Sequence, residues 1–339
     1  MTRPRPTEDG ARGARTVRVG VDIGGTTTVA VAIDGAQREV GIAELPTPRG
    51  GSAVAETAAE AARSAARAAG AGLRDIASVG LGVPGVVRPV PGTVHHAVNL
   101  GIADEPLPIV AMVSSRVGGV RTAVENDLGA AALGAASLAP TQDEPVDLAY
   151  LALGTGMAAG FVLDGRLRRG AAGVAGEIGH VVLDEDGPLC PCGQRGCLEL
   201  YVSGTAIAGR WPVAPGLHPG AELVAAVVGG DPRADAVWRR FTTAVAAAVR
   251  LVVLTVDVPS VVIGGGVARM GRPLLDGVRA ALADDAARSP FLASLGLAER
   301  VTLAPDRPVA AIGAALLPQA PEGPRPAVAA TGERIAAPS

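Results

Sequence analysis

The chain contains no lysine; all 30 of its basic residues are arginine. No Schiff-base lysine, P-loop lysine or protein-kinase lysine is therefore available. Any phosphate handled here must be held by backbone N–H groups, hydroxyls, arginine or a metal ion. Aromatics are scarce, with two Trp, two Tyr and three Phe in 339 residues. Hydrophobic residues still make up 48% of the chain, so the core has to be built from Val, Leu, Ile and Ala. A dominant charge of either sign is also missing. The net charge of −3 supplies no electrostatic footprint for nucleic acid. No uninterrupted apolar run reaches the ~18 residues of a membrane helix; the stretch 244–256 is broken by Arg250. Residues 1–15 are charged and rich in Pro and Gly, without the apolar core of a signal peptide. A soluble, cytoplasmic protein is expected, with no nucleic-acid and no membrane partner.

Cysteine is rare but concentrated. All three cysteines fall in Cys190-Pro-Cys192-Gly-Gln-Arg-Gly-Cys197, with His180 upstream. In a reducing compartment clustered thiols favour a metal over a disulfide. Three thiols and one imidazole suit a single tetrahedral Zn2+ held by His180, Cys190, Cys192 and Cys197. Four protein ligands close the coordination shell, so the zinc is expected to be structural and not to activate water. A ligated imidazole keeps a second ring N–H that needs an acceptor, and a substrate hydroxyl can be that acceptor. A nucleic-acid zinc module is the competing class, but the loop has one basic residue, Arg195, and no aromatic. Glu177 and Glu199 bracket the cluster. If residues 176–180 are helical, Glu177 and His180 share a face. The remaining histidines, His95, His96 and His218, lack thiol partners.

Two segments read alike. Residues 21–35 align without gaps onto residues 151–165: an apolar strand, a Gly/Thr turn, a second apolar strand, then Asp34-Gly35 or Asp164-Gly165. Asp-Gly is a hairpin-turn dipeptide, and the shared offset points to a duplicated unit. Elsewhere strands and helices alternate. Helices are expected over 52–71, 107–117, 127–138, 221–228, 234–253, 273–287 and 309–317. Strands are expected over 76–87, 120–124, 258–263 and 301–304. This alternation predicts an α/β architecture. Residues 1–15 and 318–339, rich in Pro, Ala and charge without periodicity, are expected to be disordered.

Glycine turns are the candidate phosphate sites. In Asp22-Ile-Gly24-Gly25-Thr26, successive glycines let backbone N–H groups converge on an anion, and Thr26 adds a hydroxyl. Asp22 could order Mg2+ through water. The turn leads into a strand and not a helix, so it is no dinucleotide fingerprint. Gly154-Thr155-Gly156 repeats it in the second half. Gly264-Gly265-Gly266 follows an apolar strand, where a base or ribose could lie on the backbone; a tight crossover explains it equally well. Asp127, in Glu125-Asn126-Asp127, ends a strand and opens a helix. It suits an N-cap, and equally a general base kept ionised by the helix dipole.

Together these pieces resemble the ROK family of sugar kinases and sugar-responsive repressors, within the actin/hexokinase/Hsp70 superfamily. The resemblance runs from about Val17 to Leu317. It includes Gly82-Val-Pro-Gly85, Gly176-Glu177-Ile-Gly-His180 followed by the cysteine cluster and Glu199, and Ile312-Gly-Ala-Ala315. It implies two ribonuclease-H-like (actin-like ATPase) domains, 16–126 and 127–317, with a cleft between them. The second carries the zinc loop 180–199, and the closing helix 309–317 is expected to pack back on the first domain. It implies ATP and a hexose as ligands. Asp127 then resembles the base for the sugar 6-hydroxyl, with Asn126, Glu177, His180 and Glu199 as sugar contacts and Gly85 and Asn99 as further candidates. The three glycine motifs resemble the ATP contacts. Glucose is the expected sugar; N-acetylglucosamine, N-acetylmannosamine and fructose are alternatives. A homodimer or homotetramer is implied at family level. The sequence departs from family kinases at Thr27, at Gly129 and at Ala158-Ala159. Family repressors carry an N-terminal helix-turn-helix domain, for which a first strand near Val17 leaves no room. A non-catalytic sugar sensor, or a regulator lacking its DNA-binding domain, is the rival expectation.

Overall fold

The computed structural model describes residues 16–139 and 146–319. The segment 1–15 and residues 320–339 of the expected tail lie outside them, whereas Pro318 and Gln319 end a 3-10 turn, Leu317–Gln319. The chain divides into two compact units. One runs to Asp127 and takes in Ala314–Gln319; the other spans Leu128–Gly313.

The first unit contains β1 (Val17–Ile23), β2 (Thr27–Ile33), β3 (Glu39–Pro46), α1 (Gly51–Ala68), β4 (Ile76–Val83), β5 (Val86–Arg88), β6 (Thr93–His95), α2 (Ile109–Arg116) and β7 (Arg121–Asn126). Its main sheet has the order β3-β2-β1-β4-β7. β1 is antiparallel to β2 and parallel to β4, and β4 is parallel to β7. β1 is buried along nearly its whole length, as a central strand covered on both faces should be. The core is Val, Ile, Leu and Ala, with α1 contributing Ala55, Ala58, Ala59 and Ala62.

The second unit begins within α3 (Asp127–Ser137). It continues through β8 (Leu148–Leu153), β9 (Met157–Leu163), β10 (Arg166–Arg168), α4 (Glu199–Val202), α5 (Gly204–Arg210), α6 (Pro219–Val228), α7 (Pro232–Val256), β11 (Ser260–Gly264), α8 (Arg272–Arg288), α9 (Pro290–Ser294), β12 (Val301–Leu303) and the start of α10 (Val309–Leu316), whose residues from Ala314 onward belong to the first unit. Its sheet order, β10-β9-β8-β11-β12, repeats the first. In each, three antiparallel strands are followed by two parallel ones, the ribonuclease-H-like arrangement. The repeat expected from residues 21–35 and 151–165 is this duplicated topology.

Several elements differ from expectation for local reasons. The expected strand 76–87 is two strands, β4 and β5, divided at Pro84-Gly85, because proline has no ladder donor. The long helix expected over 234–253 starts earlier. Asp231 caps it by accepting from Arg233 N and Ala234 N, and Pro232 occupies the first turn. Ala158 and Ala159 are strand residues of β9 and not loop residues; Ala159 is fully buried. Among the described residues, no helix is long and apolar enough to cross a membrane.

Candidate functional site

The metal cluster assembles as its spacing suggests. The ligand atoms of His180, Cys190, Cys192 and Cys197 all lie within 4.8 Å of one another. A tetrahedral ion with Zn–S near 2.3 Å separates two ligands by about 3.8 Å. Here Cys192 Sγ and Cys197 Sγ are 3.6 Å apart, and Cys190 Sγ and His180 Nδ1 are 3.9 Å apart. The donor set therefore fits zinc. Nδ1 is the ring nitrogen on the cluster side, leaving Nε2 for another partner. The loop is tied by Cys190 N–H to Gln194 O at 2.7 Å and by Gln194 Nε2 to His180 O at 3.1 Å. Backbone and side-chain hydrogen bonds from Gln194 bring Cys192 down to about 6, while burial pushes Cys197 up to about 12. Metal capture is thus coupled to proton release.

Glu177 precedes and His180 ends a 3-10 turn, Ile178–His180, and not an α-helix. The turn lies against β9, where Gly176 O accepts from Ala159 N at 2.8 Å. Gly176 has φ +100°, and a Cβ there would stand 1.7 Å from Ala159 O, so only glycine fits. This close approach places the turn beside the sheet, with Glu177 exposed and His180 half-buried.

Glu199 opens α4 and reaches the glycine turn between β8 and β9, accepting from Met157 N at 3.0 Å. The carbonyls of that turn are occupied: Gly204 N–H donates to Gly154 O at 2.7 Å and Thr205 Oγ1 to Thr155 O at 2.8 Å. Thr155 and Gly156 N–H make no hydrogen bond to a described residue, and Thr155 is exposed. Two such donors on a turn held by three hydrogen bonds, one at exposed Thr155 and one at half-buried Gly156, suit an anion. Gly264 pairs with Ala152 next to this turn. Its glycines have a packing reason, since a Cβ at Gly264 would collide with the buried Tyr150 ring and one at Gly265 with Leu153 O. Gly266 is open.

In the first unit, Asp22 of β1, Gly82 of β4 and Glu125 of β7 stand side by side in register. This places Asp22, Asn126 and Asp127 along the same C-terminal sheet edge. Burial, and then the like charge of Asp127, push the Asp22 carboxyl up to about 7. Such a carboxylate is suited to a cation. Asp127 sits at the first turn of α3, where the helix dipole favours its ionised form. Asn126 Nδ2 donates to Gly85 O at 3.1 Å, and Glu125 Oε1 accepts from Asn126 N at 3.0 Å. Asn99 packs against Gly25, the ideal Cβ of residue 25 lying 3.3 Å from Asn99 Cβ. The turn itself is pinned by Gly24 N to Thr27 O at 3.0 Å and Thr47 N to Thr26 O at 2.9 Å.

Within the first unit the fold thus brings together Asp22, Gly24, Gly25, Thr26, Gly85, Asn99, Asn126 and Asp127. Within the second it brings together Glu177, His180, Glu199, the turn 154–156 and the triple glycine. The anchoring roles of Met157 N–H, Gly204 and Thr205 carry no sequence motif and are visible only in three dimensions. Of the remaining histidines, His95 pairs with Val86 beside Gly85 and burial lowers its pKa, while His96 pairs with Asp104 at 3.0 Å. A cavity of about 510 Å³ lined by Leu183, Asp184, Tyr201, Arg240 and Arg250 contains none of the expected site residues.

Comparison with known proteins agrees with this architecture. The ROK family model matches residues 18–320, and the chain belongs to that family. A glucokinase of Streptomyces coelicolor is 38% identical over 189 residues, 56% of this chain and 57% of the relative; the chain thus spans little more than half of that relative's length. An N-acetylmannosamine kinase of Citrobacter koseri is 32% identical over 251 residues, 73% of this chain and 82% of the relative. The ROK family glucokinase of Streptomyces griseus, solved with glucose and AMPPNP, has a TM-score of 0.68 at 30% identity, covering 89% of this chain and 98% of that one. A xylose repressor of Caldicellulosiruptor bescii is 36% identical over 134 residues, 40% of this chain and 33% of the relative.

Proposed function

We propose that this protein transfers the γ-phosphoryl group of ATP to the 6-hydroxyl of a hexose, with glucose as the substrate. The observation carrying this is the placement of Asp127 at a helix N-terminus, on the sheet edge it shares with Asp22 and the 24–26 turn. There a carboxylate kept ionised by the dipole is beside a candidate phosphate site. Asp127 takes the 6-hydroxyl proton as the oxygen attacks phosphorus, and ADP departs. Asn126, Glu177, His180 and Glu199 are assigned to the sugar hydroxyls, with Gly85 and Asn99 as further candidates. The 24–26 and 154–156 turns hold phosphates through backbone N–H groups, and Gly264, Gly265 and Gly266 face the adenosine. Asp22 would hold Mg2+, which neutralises phosphate charge. His180, Cys190, Cys192 and Cys197 would hold zinc, which would order the segment bearing Glu177, His180 and Glu199.

The similarity to the Streptomyces coelicolor and Streptomyces griseus glucokinases supports glucose. The longer match to the Citrobacter koseri enzyme supports N-acetylmannosamine as the second substrate to test. Sugar-dependent ADP formation, measured by a coupled assay across hexoses and N-acetylhexosamines, with ATP and polyphosphate as donors, tests the proposal. Saturable turnover with glucose and ATP is expected. Sugar binding without ADP formation from any pair would instead mark a sensor.

A further inference from the structure

Three hydrogen bonds converge on the 154–157 turn from one short stretch of chain. Glu199 accepts from Met157 N, Gly204 N–H donates to Gly154 O, and Thr205 Oγ1 donates to Thr155 O. The stretch starts two residues after the last zinc ligand and forms α4 and the first turn of α5. Ser203 caps α5 by accepting from Ala206 N at 3.1 Å. The first N–H of α5, which has no partner within its own helix, is the one spent on Gly154 O. With the carbonyls of residues 154 and 155 drawn toward this stretch, both trans peptide units are oriented so that the Thr155 and Gly156 N–H groups point away from it.

We propose that Thr205 is a positioning residue for the phosphate-binding turn, and that residues 199–205 set the orientation of the turn for nucleotide. This rests on the reading of residues 154–156 as a phosphate site. Thr205 has its hydroxyl on a backbone carbonyl and not on substrate, so its loss changes nucleotide affinity while leaving the sugar contacts in place. Because the hydroxyl is at the surface, where water competes, the effect is modest.

The test is Thr205→Val, with Thr205→Ser restoring the hydroxyl and Gly204→Ala as an independent perturbation. A Cβ at position 204 would stand 3.1 Å from Gly154 O. Calorimetric binding of a non-hydrolysable ATP analogue with magnesium is measured alongside glucose binding and KM for each substrate. Expected are an analogue affinity about threefold weaker in Thr205→Val, the value of one exposed hydrogen bond, wild-type affinity in Thr205→Ser, and a larger loss in Gly204→Ala. Glucose affinity and melting temperature should not change in Thr205→Val. Equal analogue affinity in wild type and Thr205→Val, or equal weakening of both ligands, overturns the assignment. If the wild-type protein binds no analogue, the nucleotide reading itself fails.

Discussion

The carboxylates of Asp22 and Asp127 are electrostatically coupled. With Asp22 already desolvated at the end of β1, the charge of Asp127 helps push its pKa up to about 7 from an ordinary 3.8. The folded protein therefore binds a proton at Asp22 that the unfolded chain has released above pH 4.

The sign of the linked stability follows. Between about pH 4 and 7 the native state holds the proton more tightly than the unfolded state, so this site's contribution to stability falls as pH rises. The full penalty is on the order of 4 kcal/mol at most, and it is complete above pH 7. Asp22→Asn removes it. Denaturant titration of both proteins should show the variant gaining relative to wild type between pH 5 and pH 8. A constant difference across that range contradicts the coupling.

Zinc is assigned a structural role in the segment carrying Glu177, His180 and Glu199. Metal analysis should find one zinc per chain, and Cys192→Ala should lose it. Structural zinc contributes on the order of 10 kcal/mol in small peptides, but here the five-stranded sheets have their own apolar cores. Cys192→Ala is expected to retain far-UV circular dichroism while glucose affinity falls at least about tenfold. Unchanged glucose affinity would make the metal incidental.

Gly176 packs directly on β9, its carbonyl accepting from Ala159 N at 2.8 Å. Gly176→Ala introduces a Cβ 1.7 Å from Ala159 O at a φ of +100°. The turn must move, at a cost above about 2 kcal/mol. A lower melting temperature together with weakened sugar binding is expected from thermal scans and calorimetry. A fully wild-type Gly176→Ala protein would contradict the close packing.

Much of the fold was legible in the sequence because its signals are local. The Asp164-Gly165 turn between β9 and β10, the Gly/Thr turn that follows apolar β1, and the Ala-rich run of α1 each announce their element within a few residues. The edge strand β3 went unseen because Glu39, Gly41, Glu44 and Pro46 give it a polar pattern and a broken ladder face. Helices α4 and α5 are too short to show a 3.6-residue period. The zinc cluster was readable because its ligands are chemically rare in this chain and closely spaced. The clamp on the 154–156 turn was not, because Met157, Gly204 and Thr205 act through backbone groups and one common hydroxyl, which carry no type-specific mark. Gly264 and Gly265 show the reverse: a motif suggestive of a ligand also has a steric reason in Tyr150 and Leu153.

The most direct test of the central claim is sugar-dependent ADP release by wild type and Asp127→Ala, with glucose binding measured on both. The account predicts turnover in the wild type, a loss of at least about a thousandfold in Asp127→Ala, and glucose affinity retained within a few-fold. Turnover in Asp127→Ala close to that of the wild type would contradict it.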